Sequence, residues 1–259
     1  MLGAIIGDIV GSVYEFNNYK AKDFEPFFHP KAFFTDDTVC TVAVADALVN
    51  GIDPAVALRT WGRRYEKNGG WGMRFAQWLG SDDAGPYNSY GNGAGMRVSP
   101  AGLLAGSIEE AIRLSNHVTA VTHNHPQGMR AAAATAVAIH LARTGMAANA
   151  IRAEIVSRFG YDLSMSVDEI RPRYRYNERA LDTIPQALTC ALEATNFEDA
   201  IRNAISIGGD SDTIAAIAGG LAEALFGIPE DIAAIARLKI PEDMREVLTT
   251  LYAKAAQSS

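Results

Sequence analysis

The chain has 259 residues, of which 48% are hydrophobic and 20% are charged, and its formal net charge is -7. This length suits one large domain or two small ones, and the composition is that of a globular protein, not a disordered one. The acidic balance and the lack of a Lys- or Arg-rich run argue against a nucleic-acid-binding protein. Arg171, Arg173 and Arg175 alternate with proline and tyrosine, and they form either a small basic patch or a solvated loop.

The N-terminal stretch is apolar but resembles neither a signal peptide nor a membrane span, because it lacks a basic start and reaches Asp8 and Glu15 early. The two cysteines, Cys40 and Cys190, lie in apolar helical contexts. Buried free thiols in a reducing compartment explain them most simply, and a disulfide is the alternative. We therefore expect a soluble, cytoplasmic protein.

Alanine-rich helical patterns recur along the chain, and no segment alternates as a half-buried strand does. Gly51 ends the first clear helix, and Asp53 with Pro54 begins the next. The predicted helices span residues 38–50, 127–144, 147–158, 183–195, 197–206 and 212–226, with others beginning at Pro54, Pro229 and Pro241. The sequence therefore predicts an all-α fold, with residues 1–259 in one domain.

The segment 67–99 is rich in Gly, Asn, Asp and Ser. We interpret it as a long loop, because none of the helical patterns continues through it. Loops of that length inside a compact domain are usually functional.

Two acidic motifs stand out, each directly before a predicted helix: residues 35–38, which read TDDT, and residues 208–213, which read GGDSDT. Asp, Ser and Thr are common N-caps, and acids favour the positive end of a helix, so either motif alone could be structural. One cap position needs only one acid, however. The pairs Asp36 with Asp37 and Asp210 with Asp212 therefore point to a further role.

If the two motifs meet, four carboxylates would repel one another unless cations lie between them. Mg²⁺, Mn²⁺ and Ca²⁺ take oxygen ligands of this kind, whereas the absence of His and Cys from both motifs argues against zinc. Gly208 and Gly209 would let the backbone bend sharply beside a ligand.

Five elements in chain order resemble the ADP-ribosylglycohydrolase family: Gly7-Asp8 with Glu15, TDDT at 35–38, GNGAGMRVSP at 91–100, THNHP at 122–126 and GGDSDT at 208–213. Each is weak alone, but together they are specific and cover almost the whole chain. The resemblance implies a single compact orthogonal helical bundle that binds two Mg²⁺ or Mn²⁺ ions.

The resemblance also implies roles for individual residues. The metal ligands would be Thr35, Asp36, Asp37, Asp210, Asp212, Thr213 and Glu15, with Asp212 able to bridge the two ions. The residues implied in catalysis are Glu15, Asp36 and Asp212.

The segment at 91–93 resembles the family's phosphate-binding loop, in which glycines expose backbone N–H groups to an anion. The implied substrate-binding residues are Asn92, Gly93, Ala94, Met96 and His123. A helix beginning near Pro100 would add its N-terminus to anion binding. His125 is an additional histidine directly before Pro126, and it either has a structural role or contacts the substrate.

The implied reaction is hydrolysis of the glycosidic bond at C1 of an ADP-linked ribose, through a transition state with oxocarbenium character. Metal ions would hold the ribose hydroxyls and lower the pKa of the attacking water. Glu15 is the first candidate for moving protons, and Asp82 or Asp83 is the second for arginine-linked substrates. Tyr174 and Tyr176 could stack on adenine or pack on the surface.

Three alternatives remain open at this stage. The chain could bind ADP-ribose without turnover, hydrolyse another nucleoside or phosphate ester with a metal, or belong to the inactive members of the family. The expected partner is an ADP-ribosylated protein, modified most plausibly on arginine, or a small ADP-ribose conjugate. The chain is expected to be a monomer, without a nucleic-acid or membrane partner.

Overall fold

Helices provide the regular secondary structure of residues 1–257, the part of the chain that this computed structural model describes. That part contains no β-strand, and one isolated antiparallel bridge joins Gly91 to Arg179. The predicted all-α fold is therefore confirmed. The helices are α1 (Leu2–Gly11), α2 (Asp36–Asn50), α3 (Pro54–Arg64), α4 (Met73–Leu79), α5 (Gly93–Met96), α6 (Ser99–Leu104), α7 (Ile108–Thr119), α8 (Pro126–Arg143), α9 (Ala148–Phe159), α10 (Val167–Ile170), α11 (Ala180–Leu192), α12 (Phe197–Ile207), α13 (Ser211–Phe226), α14 (Glu230–Lys239) and α15 (Glu242–Gln257).

The boundaries of α8, α9, α12 and α13 agree with the sequence prediction to within one residue. Helix α11 differs, because it begins at Ala180 and runs through Pro185, whereas the prediction began at residue 183. Proline favours the first turn of a helix, which is why the pattern suggested the later start. Ala180, Ile184 and Leu188 are all buried. Burial of this face stabilises the additional turn.

The segment 67–99 is not one continuous loop, and that prediction is wrong. It contains α4, α5 and part of a 3-10 turn at Glu66–Asn68, and α6 begins at its end. The glycine-rich and polar residues on either side of α4 concealed it, although its own sequence, MRFAQWL, is mostly apolar and buries Phe75, Trp78 and Leu79. Tertiary burial of these three apolar groups outweighs the weak helical propensity of so short a segment.

Helices α1 and α13 lie backbone against backbone because glycines occupy their contact face. A Cβ atom on Gly3 would lie 2.2 Å from the Gly219 carbonyl oxygen, and one on Gly7 would lie 1.9 Å from the Ala215 carbonyl oxygen. A Cβ on Gly11 would lie 2.4 Å from the Cα of Asp212. Glycine therefore permits the close approach that brings the chain after α1 to the start of α13.

The core between the helices is continuous and rich in alanine, isoleucine and leucine. Cys40 and Cys190 are buried free thiols, as predicted. Burial raises the pKa of the Cys40 thiol to about 12, so this thiol remains protonated at neutral pH. Within residues 1–257, no helix combines the length and the hydropathy required to cross a bilayer.

Candidate functional site

Asp8 organises the start of α2 from the neighbouring helix α1. It is completely buried, and its carboxylate accepts hydrogen bonds from the backbone N–H and hydroxyl groups of both Thr35 and Thr38. Burial raises the pKa of Asp8 to about 6, while these four hydrogen bonds act to lower it. The result is a fixed turn, and the two aspartates between these threonines, Asp36 and Asp37, line the cavity described below.

Capping of α2 does not use either of these two aspartates. Thr35 is the N-cap residue, and its hydroxyl oxygen accepts a hydrogen bond from the backbone N–H of Asp37. One oxygen of Asp36 accepts from the backbone N–H of Gly70 at 3.0 Å, and one oxygen of Asp37 accepts from the Thr213 hydroxyl at 3.2 Å. Both carboxylates therefore remain available for chemistry beyond capping.

The second motif turns sharply before α13. Gly208 and Gly209 have φ values of 67° and 82°, in the region that favours glycine. The side-chain amide of Asn18 donates to the Gly209 carbonyl and accepts from its N–H, at 2.9 and 2.8 Å. Asp210 is the N-cap residue of α13, but its side chain makes no capping hydrogen bond. The predicted sharp bend is present, and the carboxylate of Asp210 does not cap the helix that follows it.

The two motifs meet at one cavity of about 320 Å³. One carboxylate oxygen from each of Glu15, Asp210 and Asp212 lies within 4.8 Å of the others. The carboxylates of Asp36 and Asp37 line the same cavity. The other lining residues are Cys40, Gly70, Gly72, Met73, Arg74, Phe75, Tyr87, Ser89, Gly91, Asn92, Gly93, Met96, Arg97, His123, Tyr176, Glu178 and Thr213.

Glu15 and the four aspartates of the two motifs that line this cavity have raised pKa values. Burial, followed by repulsion from Asp210 and Asp36, raises the pKa of Glu15 to about 7. Burial and the neighbouring Asp8 raise the pKa of Asp36 to about 6. Burial first, with neighbouring carboxylates second, raises the pKa values of Asp37 and Asp212 well above the ordinary range. Carboxylates this close together repel one another when they are all ionised, unless positive charge lies among them.

The donor atoms suit hard divalent cations. Oδ1 of Asp37 is buried and has no hydrogen-bond partner among the described residues, which is costly for a carboxylate oxygen unless a cation or water binds it. Within this lining, Glu15 and the two motifs offer carboxylate and hydroxyl oxygens, the ligand type that Mg²⁺ and Mn²⁺ prefer.

The loop at 91–93 lines the cavity and contacts the acidic cluster directly. The side-chain amide of Asn92 donates to Oδ2 of Asp210 at 2.6 Å, and the backbone N–H of Asn92 donates to the Glu178 carbonyl oxygen at 2.8 Å. The loop is thereby tied both to the acidic cluster and to the segment before α11. Gly93, Met96 and Asn92 line the cavity, whereas the predicted substrate contact Ala94 is completely buried in the core.

The two histidines of the segment 122–126 have different environments. His123 is buried and lines the cavity beside Arg97. His125 is the N-cap residue of α8, and its Nδ1 accepts a hydrogen bond from the backbone N–H of Gln127 at 3.1 Å. Its ring also packs 5.4 Å from that of Tyr90. Capping accounts for the presence of His125.

Several other predicted residues lie outside the cavity lining. The hydroxyl of Thr35 donates a hydrogen bond to Asp8. Asp82 pairs with Arg63 at 2.7 Å on the surface, and neither it nor Asp83 reaches the cavity. Tyr176 lines the cavity, whereas Tyr174 is buried in the core.

The basic run at 171–175 is engaged in local contacts. Arg171 pairs with Asp168 at 2.6 Å, and Arg175 donates to the carbonyl oxygens of Pro172 and Tyr174. These contacts favour the solvated-loop interpretation.

Other cavity residues were not predicted from the sequence: Arg74, Phe75, Tyr87, Arg97 and Glu178. The first three lie in the Gly-rich segment 67–99, which was expected to be functional. One basic and two aromatic side chains there could have indicated them. The sequence suggested no separate role for Asp8 in the site, although an acid among apolar helical residues signals a buried group that needs partners.

An all-helical fold in which paired aspartates at two helix starts share one cavity with a glycine-rich loop defines the class of domain, and comparisons with known proteins identify it. The sequence profile of ADP-ribosylglycohydrolase matches residues 1–258. An ADP-ribosylarginine hydrolase, Tri1, from Pseudomonas putida is 30% identical over 269 residues, covering 88% of this chain and 70% of that protein.

The ADP-ribosylhydrolase ARH3 of Mus musculus is 22% identical, covering 89% of this chain and 83% of that protein. A solved structure described as an ADP-ribosylglycohydrolase-related protein complex shares the fold with a TM-score of 0.74, at 23% identity, covering 98% of this chain and 97% of that one. The chain belongs to the ADP-ribosylglycohydrolase family.

Proposed function

We propose that this protein hydrolyses the glycosidic bond between ADP-ribose and a conjugated group, with an arginine side chain as the first substrate class and two Mg²⁺ or Mn²⁺ ions as cofactors. One observation carries the proposal. Both aspartate motifs, Glu15 and the glycine-rich loop at 91–93 line one cavity, in which Asn92 of the loop donates to Asp210. That arrangement suits a ligand with a sugar diol at one end and a diphosphate near the loop.

Oxygen atoms of Asp36, Asp37 and Thr213 would hold one cation, and those of Glu15, Asp210 and Asp212 would hold the other. Divalent cations in such a site supply positive charge that orients hydroxyl groups and favours deprotonation of a nearby water. The convergence of the second group of carboxylates within 4.8 Å supports this division. Thr35 would act indirectly, by fixing the turn that carries Asp36.

Glu15 is the residue best suited to hold and release a proton. It is only partly buried, and its pKa in the metal-free cavity is raised to about 7. A cation bound to the same carboxylate would lower that pKa, so Glu15 would act as an acid or base through an oxygen that holds no cation. It follows α1 and faces the cavity, so its carboxyl group can reach a leaving nitrogen or oxygen at the sugar carbon.

The arginine assignment has two supports. The relative from Pseudomonas putida is an ADP-ribosylarginine hydrolase by name. In this chain, Glu178 adds a carboxylate to the cavity wall beyond those assigned to cations, and it contributes to the raised pKa of Glu15. An acidic wall of this kind favours a guanidinium leaving group over a neutral one.

The test is release of free ADP-ribose from an ADP-ribosylated arginine protein, measured with Mg²⁺, with Mn²⁺ and with EDTA. We expect release with a metal and none with EDTA. Asp212→Ala should abolish both release and Mn²⁺ binding, measured by calorimetry. Asp82→Ala is the matched control, because it removes an aspartate from the surface and should change neither.

Two outcomes would contradict the proposal. Full activity of Asp212→Ala, or of the unaltered protein in EDTA, would remove the assigned metal site. ADP-ribose binding without release from arginine- or serine-linked substrates, with either metal, would favour the alternative of a binding protein without turnover.

A further inference from the structure

Asn18 ties the segment that carries Glu15 to the bend before Asp210. Its Nδ2 donates to the carbonyl oxygens of Tyr14 and Glu15, at 2.8 and 2.9 Å, and to that of Gly209 at 2.9 Å. Its Oδ1 accepts from the backbone N–H of Gly209 at 2.8 Å. One side chain therefore joins two segments that are distant in sequence.

These partners allow only one orientation of the Asn18 amide. A backbone carbonyl oxygen can only accept and a backbone N–H can only donate, so the amide nitrogen faces the three carbonyl groups and the amide oxygen faces the Gly209 N–H. The two hydrogens of the nitrogen are shared among the three acceptors. Truncation of this side chain at Cβ would remove all of these contacts at once.

The carboxylate of Glu15 has no comparable support of its own. Glu15 lies beyond the end of α1, and its carboxylate makes no hydrogen bond within residues 1–257. The carboxylates of Asp210 and Asp36 repel it. In the metal-free protein, this repulsion would move an untethered Glu15 away from the cluster. Its position therefore depends on how its backbone is held.

The bend before α13 leaves space for Asn18. Gly208 has a φ value of 67°, and a Cβ atom there would lie 2.9 Å from Oδ1 of Asn18 and 2.9 Å from Cε of Lys20. Lys20 is itself fixed, since its Nζ donates to the carbonyl oxygens of Arg171 and Tyr174, at 2.9 and 2.8 Å. Glycine at position 208 therefore permits the close approach of the segment that follows Glu15.

We propose that Asn18 is a positioning residue, which holds the carboxylate of Glu15 beside those of Asp210 and Asp212. One oxygen from each of these three carboxylates lies within 4.8 Å of the others. The hydrogen bonds of Asn18 are a property of the fold. The consequence for catalysis rests on the proposed function, in which the three carboxylates share a cation and Glu15 moves a proton.

A double-mutant cycle tests the positioning without metal or substrate. The four proteins are the unaltered chain, Glu15→Gln, Asn18→Ala and the double variant, and the readout is the thermal midpoint in EDTA at about pH 8. We expect Glu15→Gln to raise the midpoint, because it removes a repelling charge, but by less than about half as much in the Asn18→Ala background. There Glu15 can move away, so its replacement relieves less repulsion. Equal shifts in the two backgrounds would overturn the proposal.

Two further measurements connect the positioning with the site. Calorimetry should show that Asn18→Ala binds Mn²⁺ about tenfold more weakly, as is typical when a group that orients a metal ligand is lost. With saturating Mn²⁺, kcat for ADP-ribose release should fall about tenfold while KM changes less than about twofold, because Asn18 does not line the cavity. Unchanged Mn²⁺ affinity and kcat, or a change in KM alone, would also overturn the proposal.

Asn17→Ala is the matched control. Asn17 is the neighbouring exposed asparagine, and its side chain makes no hydrogen bond within the described part of the chain. We expect it to leave the midpoint, the Mn²⁺ affinity and kcat unchanged, and losses equal to those of Asn18→Ala would contradict the role of the Asn18 amide. If Asn18→Ala unfolds, Asn18→Ser is the second variant, and the same pattern is expected because one hydroxyl cannot replace both ends of an amide.

The outcomes separate this inference from the proposed function. If the cycle shows coupling while the unaltered protein neither binds Mn²⁺ nor releases ADP-ribose, the proposed function fails and the positioning of Glu15 by Asn18 stands. If ADP-ribose is released with Mn²⁺ while the cycle is additive, the proposed function stands and the inference fails.

Discussion

Asp8 shows how one buried side chain can determine the geometry of a site that it does not line. Its carboxylate receives four hydrogen bonds from Thr35 and Thr38, and the aspartates between these threonines line the cavity. An amide at this position would turn an NH₂ group towards donors. Partners left unsatisfied in a buried position cost about 1–3 kcal/mol each.

We therefore predict that Asp8→Asn lowers the free energy of unfolding by about 2–3 kcal/mol and weakens Mn²⁺ binding. Urea denaturation in EDTA measures the first effect and calorimetry the second. Asp82→Asn, at an exposed carboxylate, is the control and should alter neither. Unchanged Mn²⁺ affinity in a folded Asp8→Asn protein would show that the turn does not depend on Asp8.

Glu15 is expected to lower the stability of the metal-free protein while it contributes to activity. Its carboxylate is crowded by Asp210 and Asp36, which raise its pKa. We predict that Glu15→Gln raises the thermal midpoint in EDTA, because it removes one repelling charge at neutral pH, while ADP-ribose release falls by at least a hundredfold, as is typical for a lost acid–base group. Thermal melts and the release assay test this pair of effects. Loss of activity together with a lower midpoint would indicate a structural role instead.

At the scale of the elements, the close contact of α1 with α13 is what brings the two halves of the site together. The contact uses glycines at positions 3, 7 and 11, spaced by one helical turn, against the backbone at positions 212, 215 and 219. A methyl group at any of the three would meet backbone atoms, which have nowhere to move without separating the helices.

We predict that Gly7→Ala destabilises the protein by about 3 kcal/mol or more, because its Cβ would lie 1.9 Å from the Ala215 carbonyl oxygen. A surviving folded fraction should also bind Mn²⁺ more weakly. Gly85→Ala is the matched control, since a Cβ there has no neighbour within 4 Å. Equal denaturation curves for the two variants would contradict this account of the helix contact.

The α4 region illustrates a second effect at this scale. Phe75 belongs to the hydrophobic core and also lines the cavity. The aromatic rings of Trp71, Phe75 and Trp78 follow one another with centre-to-centre distances of 5.6 Å. A short helix held by such rings forms a wall of the site, which the Gly-rich and polar residues around it did not suggest.

For the whole molecule, the acidic cavity links stability to pH and to metal. The pKa of Asp36 rises on folding from 3.8 to about 6, and that of Glu15 from 4.5 to about 7. Between those values the folded state binds more protons than the unfolded chain, so metal-free stability falls as pH rises through this window. Asp37 and Asp212 act in the same direction.

We therefore predict that in EDTA the thermal midpoint is higher near pH 5 than near pH 8, and that saturating Mg²⁺ or Mn²⁺ reduces or removes the difference by binding only the folded state. Differential scanning fluorimetry across pH, with and without metal, tests this. A midpoint in EDTA that rises steadily with pH would contradict the assignment of raised carboxyl pKa values.

Local patterns in the sequence account for most of the helices. Residues that end or begin a helix, such as Gly51 and Asp53, affect only neighbours within a few residues. Asp53, for example, caps α3 through two backbone N–H groups. For the same reason the acidic motifs could be placed at helix starts. The roles of Asp210 and Asp212 remain predictions until metal binding is measured, but their position beside Glu15 is as expected.

What the sequence by itself determined is therefore the all-helical class, the two acidic motifs and the family pattern that joins them. The tertiary structure alone decided which groups surround them: Asp8 behind α2, Arg97 against His123, and Glu178 at the cavity wall. These residues are distant in sequence from the groups they contact, or depend on side-chain direction. Caps and helical periods are set by neighbouring residues, whereas burial, close backbone approach and shifted pKa values arise only when distant segments pack together.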